Sequence, residues 1–114
     1  MVRGTNRMVT SKPEPWDELH DATLVSVRLD WATGIAVFSA RAALPDAPEV
    51  SVTAEGVTNL QCPREQPWGE SVSINEVRGP VPHEKGSRLE VEMQSGDVLL
   101  VEARSFTCAW RGAP

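Results

Sequence analysis

Residues 24–41 read LVSVRLDWATGIAVFSAR and residues 89–103 read LEVEMQSGDVLLVEA. In both stretches apolar and polar residues alternate on either side of a glycine, Gly34 in the first and Gly96 in the second. Alternation with a period of two is typical of a half-buried strand, and a glycine between two such strands is typical of a hairpin loop. The two stretches therefore predict two antiparallel β-hairpins.

The first hairpin is expected to turn through a three-residue loop, Ala32–Gly34, with the glycine in the left-handed conformation. This loop sets Leu29 opposite Val37 and leaves the other face mixed, with Arg28 opposite Phe38. The side chains predicted to face the core are Val25, Val27, Leu29, Trp31, Ile35 and Val37.

The second hairpin is expected to turn through Ser95–Asp97, again three residues long. A two-residue Ser-Gly loop would shift the register by one residue and move the apolar set off the core face, so burial favours the longer loop. The predicted core face consists of Leu89, Val91, Met93, Leu99 and Val101. Three carboxylates, Glu90, Glu92 and Glu102, are then left together on the opposite face.

The rest of the chain adds further short strands. Val50–Ala54 and Ser71–Val77 alternate, residues 106–110 alternate near the C-terminus, and the proline- and glycine-containing residues 78–87 predict a loop. A single helical turn is expected at residues 15–21. These elements predict a mostly β, single-domain antiparallel sandwich or partly open barrel of about six or seven strands with at most one short helical turn.

A chain of 114 residues accommodates one core. We expect residues 1–11 to be a disordered basic tail and residues 12–114 to be a single β-rich domain. Residues 13–114 carry all 16 acids against eight bases, a net charge of −8 (8 minus 16). This balance disfavours nucleic acid and favours either a basic protein partner or no charged partner at all. No run of about 18 apolar residues and no signal peptide is evident, so no membrane association and a cytoplasmic location are expected.

His20 and Asp21 form the one pair that suggests acid/base or metal chemistry, because a carboxylate can orient a histidine that titrates near neutrality. The structural alternative is that His20 hydrogen-bonds a backbone carbonyl at the entry to the first strand. Cys62 and Cys108 have no CxxC spacing and are expected to be reduced thiols. No phosphate-binding, dinucleotide, nucleophile-elbow or zincin motif occurs, so no cofactor and no metal site are predicted.

Four tryptophans stand out in a chain without tyrosine. We expect Trp31 and Trp110 to fill the open ends of the fold. Trp68 lies between Pro67 and Gly69, where it can serve as an exposed anchor of a binding loop, since interface hot spots favour tryptophan. The polar residues that follow it, Glu70, Asn75 and Glu76, are included in this candidate binding site.

The segment Trp16–Leu24, WDELHDATL, runs into a predicted strand that ends at Asp30 and Trp31. It resembles the Trp and His-Asp-Ala opening of small bacterial proteins grouped as immunity protein 50-like. The resemblance covers about a quarter of the chain and implies a cytosolic protein that neutralises a toxin by binding it. No catalytic residue carries over from that family.

The function expected from the sequence is that of a non-enzymatic binding protein, specifically an immunity-type inhibitor that binds a basic toxin. Its binding residues are expected to be Trp68, Glu70, Asn75, Glu76, Glu90, Glu92 and Glu102. One alternative is a small enzyme or metal-binding domain that uses His20 and Asp21, together with Glu76 and with His83 as a further candidate. Another is a homo-oligomeric structural subunit, such as a homodimer formed through an exposed sheet edge.

Overall fold

The computed structural model describes residues 13–111 and shows an all-β fold. Within this range, eight antiparallel strands form two four-stranded sheets, and one short 3₁₀ helix, Pro15–Glu18, precedes them. The predicted fold class is confirmed, with one strand more than the larger number expected. The prediction for residues 1–11 lies outside the described residues. No helix in the described part of the chain is long and apolar enough to cross a membrane.

In chain order the strands are β1 (Thr23–Asp30), β2 (Ile35–Arg41), β3 (Glu49–Glu55), β4 (Asn59–Gln61), β5 (Ile74–His83), β6 (Gly86–Met93), β7 (Val98–Ala103) and β8 (Ser105–Arg111). Sheet 1 has the order β1-β2-β3-β8, and sheet 2 has the order β4-β7-β6-β5. The chain passes from sheet 2 to sheet 1 through Arg104, whose backbone N–H donates to the carbonyl oxygen of Glu55 at 2.9 Å.

The inward side chains of the two sheets form one apolar core. Because side chains alternate along a strand, every second residue of β2 and of β6 is buried. Burial of each valine or leucine side chain contributes roughly 2 kcal/mol. The buried core residues are Leu19, Ala22, Ala36, Phe38, Ala40, Val50, Val52, Ala54, Ile74, Leu89, Val91, Met93, Leu99, Val101 and Ala103.

The second hairpin has the predicted core face but a different loop. All five residues predicted to face the core are buried. The loop is Gln94–Gly96, one residue earlier than predicted, and the backbone N–H of Met93 donates to the carbonyl oxygen of Asp97 at 2.8 Å. Leu89 therefore faces Val101, a register shift of two residues. A shift of two leaves every side chain on its original face, because the side-chain period is two.

The first hairpin keeps Val27 of β1 against the core as predicted, but on β2 the face opposite to the predicted one is buried. Its loop has four residues, Trp31–Gly34, so that Leu29 faces Ala36, and β1 carries a bulge at Val25. The one-residue shift places the other face of β2 inward. That buried face consists of Ala36, Phe38 and Ala40. Val25 is 56% exposed and Trp31 is 88% exposed.

Residues 78–87 form the end of a third hairpin and not a loop. Strand β5 continues to His83, and a two-residue turn leads directly into β6. Pro80 and Pro82 are tolerated because β5 is the edge strand of sheet 2, where a residue without an N–H loses no ladder hydrogen bond on the free side. The pairing with β6 shifts between Arg78 and Val81, which absorbs the irregular segment.

Candidate functional site

The outer face of sheet 2 carries a cluster of charged side chains near the turn between β6 and β7. The Arg78 guanidinium crosses from β5 to β6, where its Nε donates to Glu90 Oε1 at 3.0 Å and its Nη1 donates to Glu92 Oε1 at 2.9 Å. The same Nη1 lies 3.4 Å from Glu76 Oε1. We call Glu76, Glu90 and Glu92, arranged around Arg78, the carboxylate cluster.

The local backbone explains why Glu76 joins this cluster. The β5–β6 pairing shifts between Ile74 and Glu76, so that Ile74 faces Met93 and is buried, whereas Glu76 faces Glu92. An alternating strand without a bulge would place Ile74 and Glu76 on the same face, as the sequence suggested. The bulge turns Glu76 outward and brings it beside the two glutamates of β6.

The cluster retains an excess of negative charge. One guanidinium faces three carboxylates, which gives a net charge of −2 (1 minus 3). The hydrogen bond from Arg78, supported by one from Asn75 Nδ2 at 3.2 Å, lowers the pKa of Glu92, so this carboxylate stays ionised. The bonds with Glu92 and Glu90 raise the pKa of Arg78 in turn. The side chains are partly exposed and accessible to a partner.

His20 and Asp21 lie next to the carboxylate cluster but are held by structural contacts. His20 Nδ1 hydrogen-bonds the backbone carbonyl oxygen of Asn75, a contact of the kind given above as the structural alternative for this histidine. Gln94 Nε2 donates to Asp21 Oδ1 at 3.1 Å, and His20 Nε2 lies 3.6 Å from Asp21 Oδ2. The pair ties the end of the 3₁₀ segment to the start of β5.

Glu102 belongs to a second charged group at the other end of sheet 2. Arg88 Nη2 donates to Glu102 Oε2 at 2.8 Å, and His83 Nε2 lies 3.2 Å from the same oxygen. The hydrogen bond from Arg88 outweighs the effect of burial and lowers the pKa of Glu102. Glu102 is therefore placed apart from Glu90 and Glu92, although all three lie on one outer face as predicted.

His83 is distant from the other residues of the enzyme hypothesis, of which His20 and Asp21 lie 3.6 Å apart. His20 hydrogen-bonds Asn75, the second residue of β5, whereas His83 is the last residue of the same strand, eight positions further on. At about 3.3 Å per residue, these two positions are about 25 Å apart. Within residues 13–111, no group of three histidine, cysteine or acidic side chains is arranged to hold a metal ion.

Trp68 lies at the same end of sheet 2 as the carboxylate cluster. Its side chain is 78% exposed, and its backbone N–H donates to the carbonyl oxygen of Ser95 at 2.9 Å. Part of the indole covers Gly96, since a Cβ at that position would lie 2.7 Å from Trp68 Cε3. The tryptophan is thus an exposed side chain on an anchored loop. Glu70 is exposed and forms no ion pair or hydrogen bond with another described residue.

Asp97 anchors this loop, a role that the sequence analysis missed. Its Oδ1 accepts a hydrogen bond from the backbone N–H of Glu65 at 2.9 Å. Its Oδ2 accepts one from the backbone N–H of Gln66 at 3.0 Å and one from the Ser95 hydroxyl at 2.8 Å. Burial raises the pKa of Asp97, but the hydrogen bonds from Ser95, Glu65 and Gln66 lower it by more. A Gly-Asp pair is common in turns and indicates only a turn in the sequence. Its spacing does not identify the loop at residues 65–66 as the partner of the aspartate.

The remaining tryptophans and cysteines are structural or exposed. Trp31 does not fill an open end of the fold as predicted, because it lies in the exposed β1–β2 turn. Trp110 packs against the core, and its Nε1 donates to the carbonyl oxygen of Pro13 at 2.9 Å. Cys62 and Cys108 are free thiols. Burial, assisted by the charge of Glu14, raises the pKa of Cys108 to about 12, so this thiol is not a nucleophile near neutral pH.

The arrangement near the β6–β7 turn can accept hydrogen bonds from cationic side chains and offers an exposed aromatic surface beside them. Carboxylates held in place by a neighbouring guanidinium lose little further freedom on binding a lysine or arginine. Comparisons of this chain with protein-family models, with curated proteins and with solved structures found no match.

Proposed function

We propose that this chain is a non-enzymatic protein-binding module that captures a basic partner through the carboxylate cluster and Trp68. The observation that carries the proposal is the presence of three carboxylates around one guanidinium, at the same end of sheet 2 as a tryptophan that is 78% exposed. Such a surface offers electrostatic attraction and an aromatic anchor within one contact area.

The two parts of the surface contribute differently. The net negative charge of the cluster, in a body of net charge −8, increases the association rate with a cationic protein. Trp68 contributes apolar contact area, which slows dissociation once it is covered. Because hydrogen bonds from the backbone of residues 65–68 fasten the loop to the β6–β7 turn, the indole is presented from an ordered segment.

We further propose that the partner is a basic toxin and that this chain inhibits it by covering its surface. The N-terminal segment WDELHDATL, with its resemblance to immunity protein 50-like proteins, supports this role. The excess of acidic residues supports a basic target. Inhibition by coverage requires no catalytic residue.

Titration of the ¹⁵N-labelled chain with decalysine at low ionic strength tests the binding surface. We expect saturable chemical-shift changes at the amides of Asn75, Glu76 and Glu92 and at the indole N–H of Trp68. Added salt is expected to weaken them because it screens the attraction. Changes spread evenly over both sheets, with no preference for these signals, would contradict the proposed surface.

A second candidate function, a homodimer formed through β1, rests on a separate observation. β1 is an edge strand of sheet 1 in which Val25 is 56% and Leu29 38% exposed, and Trp31, in the turn that follows it, is 88% exposed. An exposed apolar edge strand is a template for strand pairing. Sedimentation equilibrium should then give twice the chain mass, and Val25→Lys should restore the monomer. A monomeric unmodified chain at all concentrations would exclude this candidate.

A further inference from the structure

A cleft of about 340 Å³ lies at the end of sheet 2 that is far from Trp68. The turn between β5 and β6 forms one wall, and the two chain segments that pass between the sheets form the other. Among its lining residues are Gly56, Thr58, His83, Lys85, Glu102 and Arg104. Its volume is at the lower end of the range for sites that hold small molecules.

Two glycines allow the walls of this cleft to approach each other. A Cβ at Gly86 would lie 2.3 Å from the carbonyl oxygen of Ala103, so the start of β6 passes directly against the end of β7. A Cβ at Gly56, where φ is +69°, would lie 2.8 Å from Arg104 Nη1. The Arg104 side chain therefore lies across Gly56, and its guanidinium is directed along the cleft wall.

The lining of the cleft carries no net charge, whereas residues 13–114 as a whole are acidic. The lining cations, Lys85 and Arg104, are matched by two lining carboxylates, Glu84 and Glu102, a balance of 0 (2 minus 2). The net charge of residues 13–114 as a whole is −8. The cleft is thus a locally neutral region on an acidic protein, and one of its two carboxylates, Glu102, is already paired with Arg88 from outside the lining.

Among residues 13–111, neither lining cation has an ion-pair partner. Glu102 is only 17% exposed and is already engaged by Arg88 and His83. Neither Lys85 nor Arg104 forms an ion pair with another residue of the range 13–111. Both side chains are exposed and line the same cleft. An anion with two charges would satisfy both.

We infer that this cleft binds a small phosphate monoester. A guanidinium presents two parallel N–H donors to phosphate oxygens, and an ammonium supplies a compact second charge. A phosphate monoester carries a charge of about −1.5 to −2 at neutral pH and three acceptor oxygens. A single carboxylate would leave one of the two cations without a partner. The inferred site is distinct from the protein-binding surface proposed above and does not depend on it.

The test is a titration of the ¹⁵N-labelled full chain with inorganic phosphate and with glycerol 3-phosphate, at constant ionic strength maintained with chloride. We expect saturable shifts at the amides of Lys85, Gly86 and Arg104. Arg104→Gln and Lys85→Gln should each raise the dissociation constant about tenfold, because each removes one charge-assisted contact. Lys85 lies in an exposed turn, so its replacement tests the site even if Arg104→Gln unfolds the chain.

Arg41→Gln is the matched control. Arg41 is exposed at the end of β2 in sheet 1 and has no ion pair within the described range, so its replacement changes the net charge by the same amount at a distance from the cleft. It should leave the dissociation constant unchanged. An equal loss of affinity in Arg41→Gln and in the two cleft variants would overturn the inference, and so would the absence of saturable shifts at the cleft amides.

Discussion

The carboxylate of Asp97, buried in the β6–β7 turn, accepts the backbone hydrogen of Gln66 at 3.0 Å and so joins two segments that are 31 residues apart in sequence. The same carboxylate also accepts the backbone hydrogen of Glu65. Two consecutive N–H groups of a loop are thereby satisfied by one side chain, which holds the segment that carries Trp68 against sheet 2. The exposed tryptophan depends on this buried anion for its position.

Asp97→Asn should destabilise the fold, because one side of the amide is a donor that would face the N–H groups of residues 65 and 66. The pKa of Asp97 is lowered in the folded chain, so its stabilising effect is present above the unfolded-state pKa of about 3.9 and is lost as pH falls through the folded-state pKa. Melting temperatures of the two proteins, measured across pH, should therefore converge in acid. Glu65→Gln, in the same loop, is the control. A difference that grows as pH falls would contradict this role.

Val91→Asp should cost about 3 kcal/mol or more of unfolding free energy, since it removes packing and places a charge without a partner in the core. Glu92→Gln, the adjacent residue on the opposite face, should have little effect on stability. Urea denaturation of both variants measures the difference. If Glu92→Gln were the more destabilising of the two, the observed faces of β6 would be wrong.

Trp110→Ala and Trp68→Ala should differ in their effect on stability. Trp110 packs against the core and donates its indole hydrogen to Pro13, so its truncation should cost about 2 kcal/mol or more. Trp68 is mostly exposed, and its truncation should cost less than about 0.5 kcal/mol. Thermal denaturation checks the ranking. Loss of the fold in Trp68→Ala would make Trp68 a structural residue and remove it from the proposed binding surface.

Gly96→Ala should cost about 1 kcal/mol, because alanine disfavours the φ of +96° found there. Its Cβ would also meet the Trp68 ring at 2.7 Å and displace it. In the double variant with Trp68→Ala this second effect disappears, so the two changes should be non-additive in urea denaturation. Strict additivity, with unchanged Trp68 fluorescence in the single variant, would show that the ring does not contact Gly96.

The sequence was sufficient to predict the fold class and one of the two hairpin faces. In the second hairpin the outer face carries Glu90, Glu92 and Glu102 beside Val98 and Leu100, whereas the other face is wholly apolar. The misplaced loop shifted the register by two residues, so it did not change which residues are inside. In the first hairpin both faces are rich in apolar residues. The loop is one residue longer than the three-residue loop predicted, and β1 has a bulge at Val25. The buried residue is therefore Phe38 and not Val37.

The candidate site was predictable only in part, because its contacts cross between strands whose neighbours were unknown. Glu90 and Glu92 were correctly placed on one outer face. The guanidinium of Arg78 that joins them was missed because residues 78–87 were interpreted as a loop. Pro80 and Pro82 suggested that interpretation, and only the position of β5 at the sheet edge makes these residues compatible with a strand.

The most direct test of the proposed binding surface compares two double variants of equal charge. Glu90→Gln/Glu92→Gln neutralises two members of the carboxylate cluster, whereas Glu49→Gln/Glu55→Gln removes the same charge from β3 in sheet 1. Isothermal titration with decalysine at low ionic strength should show at least about a tenfold loss of affinity in the first variant, about 1.4 kcal/mol. It should show little change in the second. Equal losses in both variants would mean that net charge alone attracts the peptide, which would contradict a binding site at the carboxylate cluster.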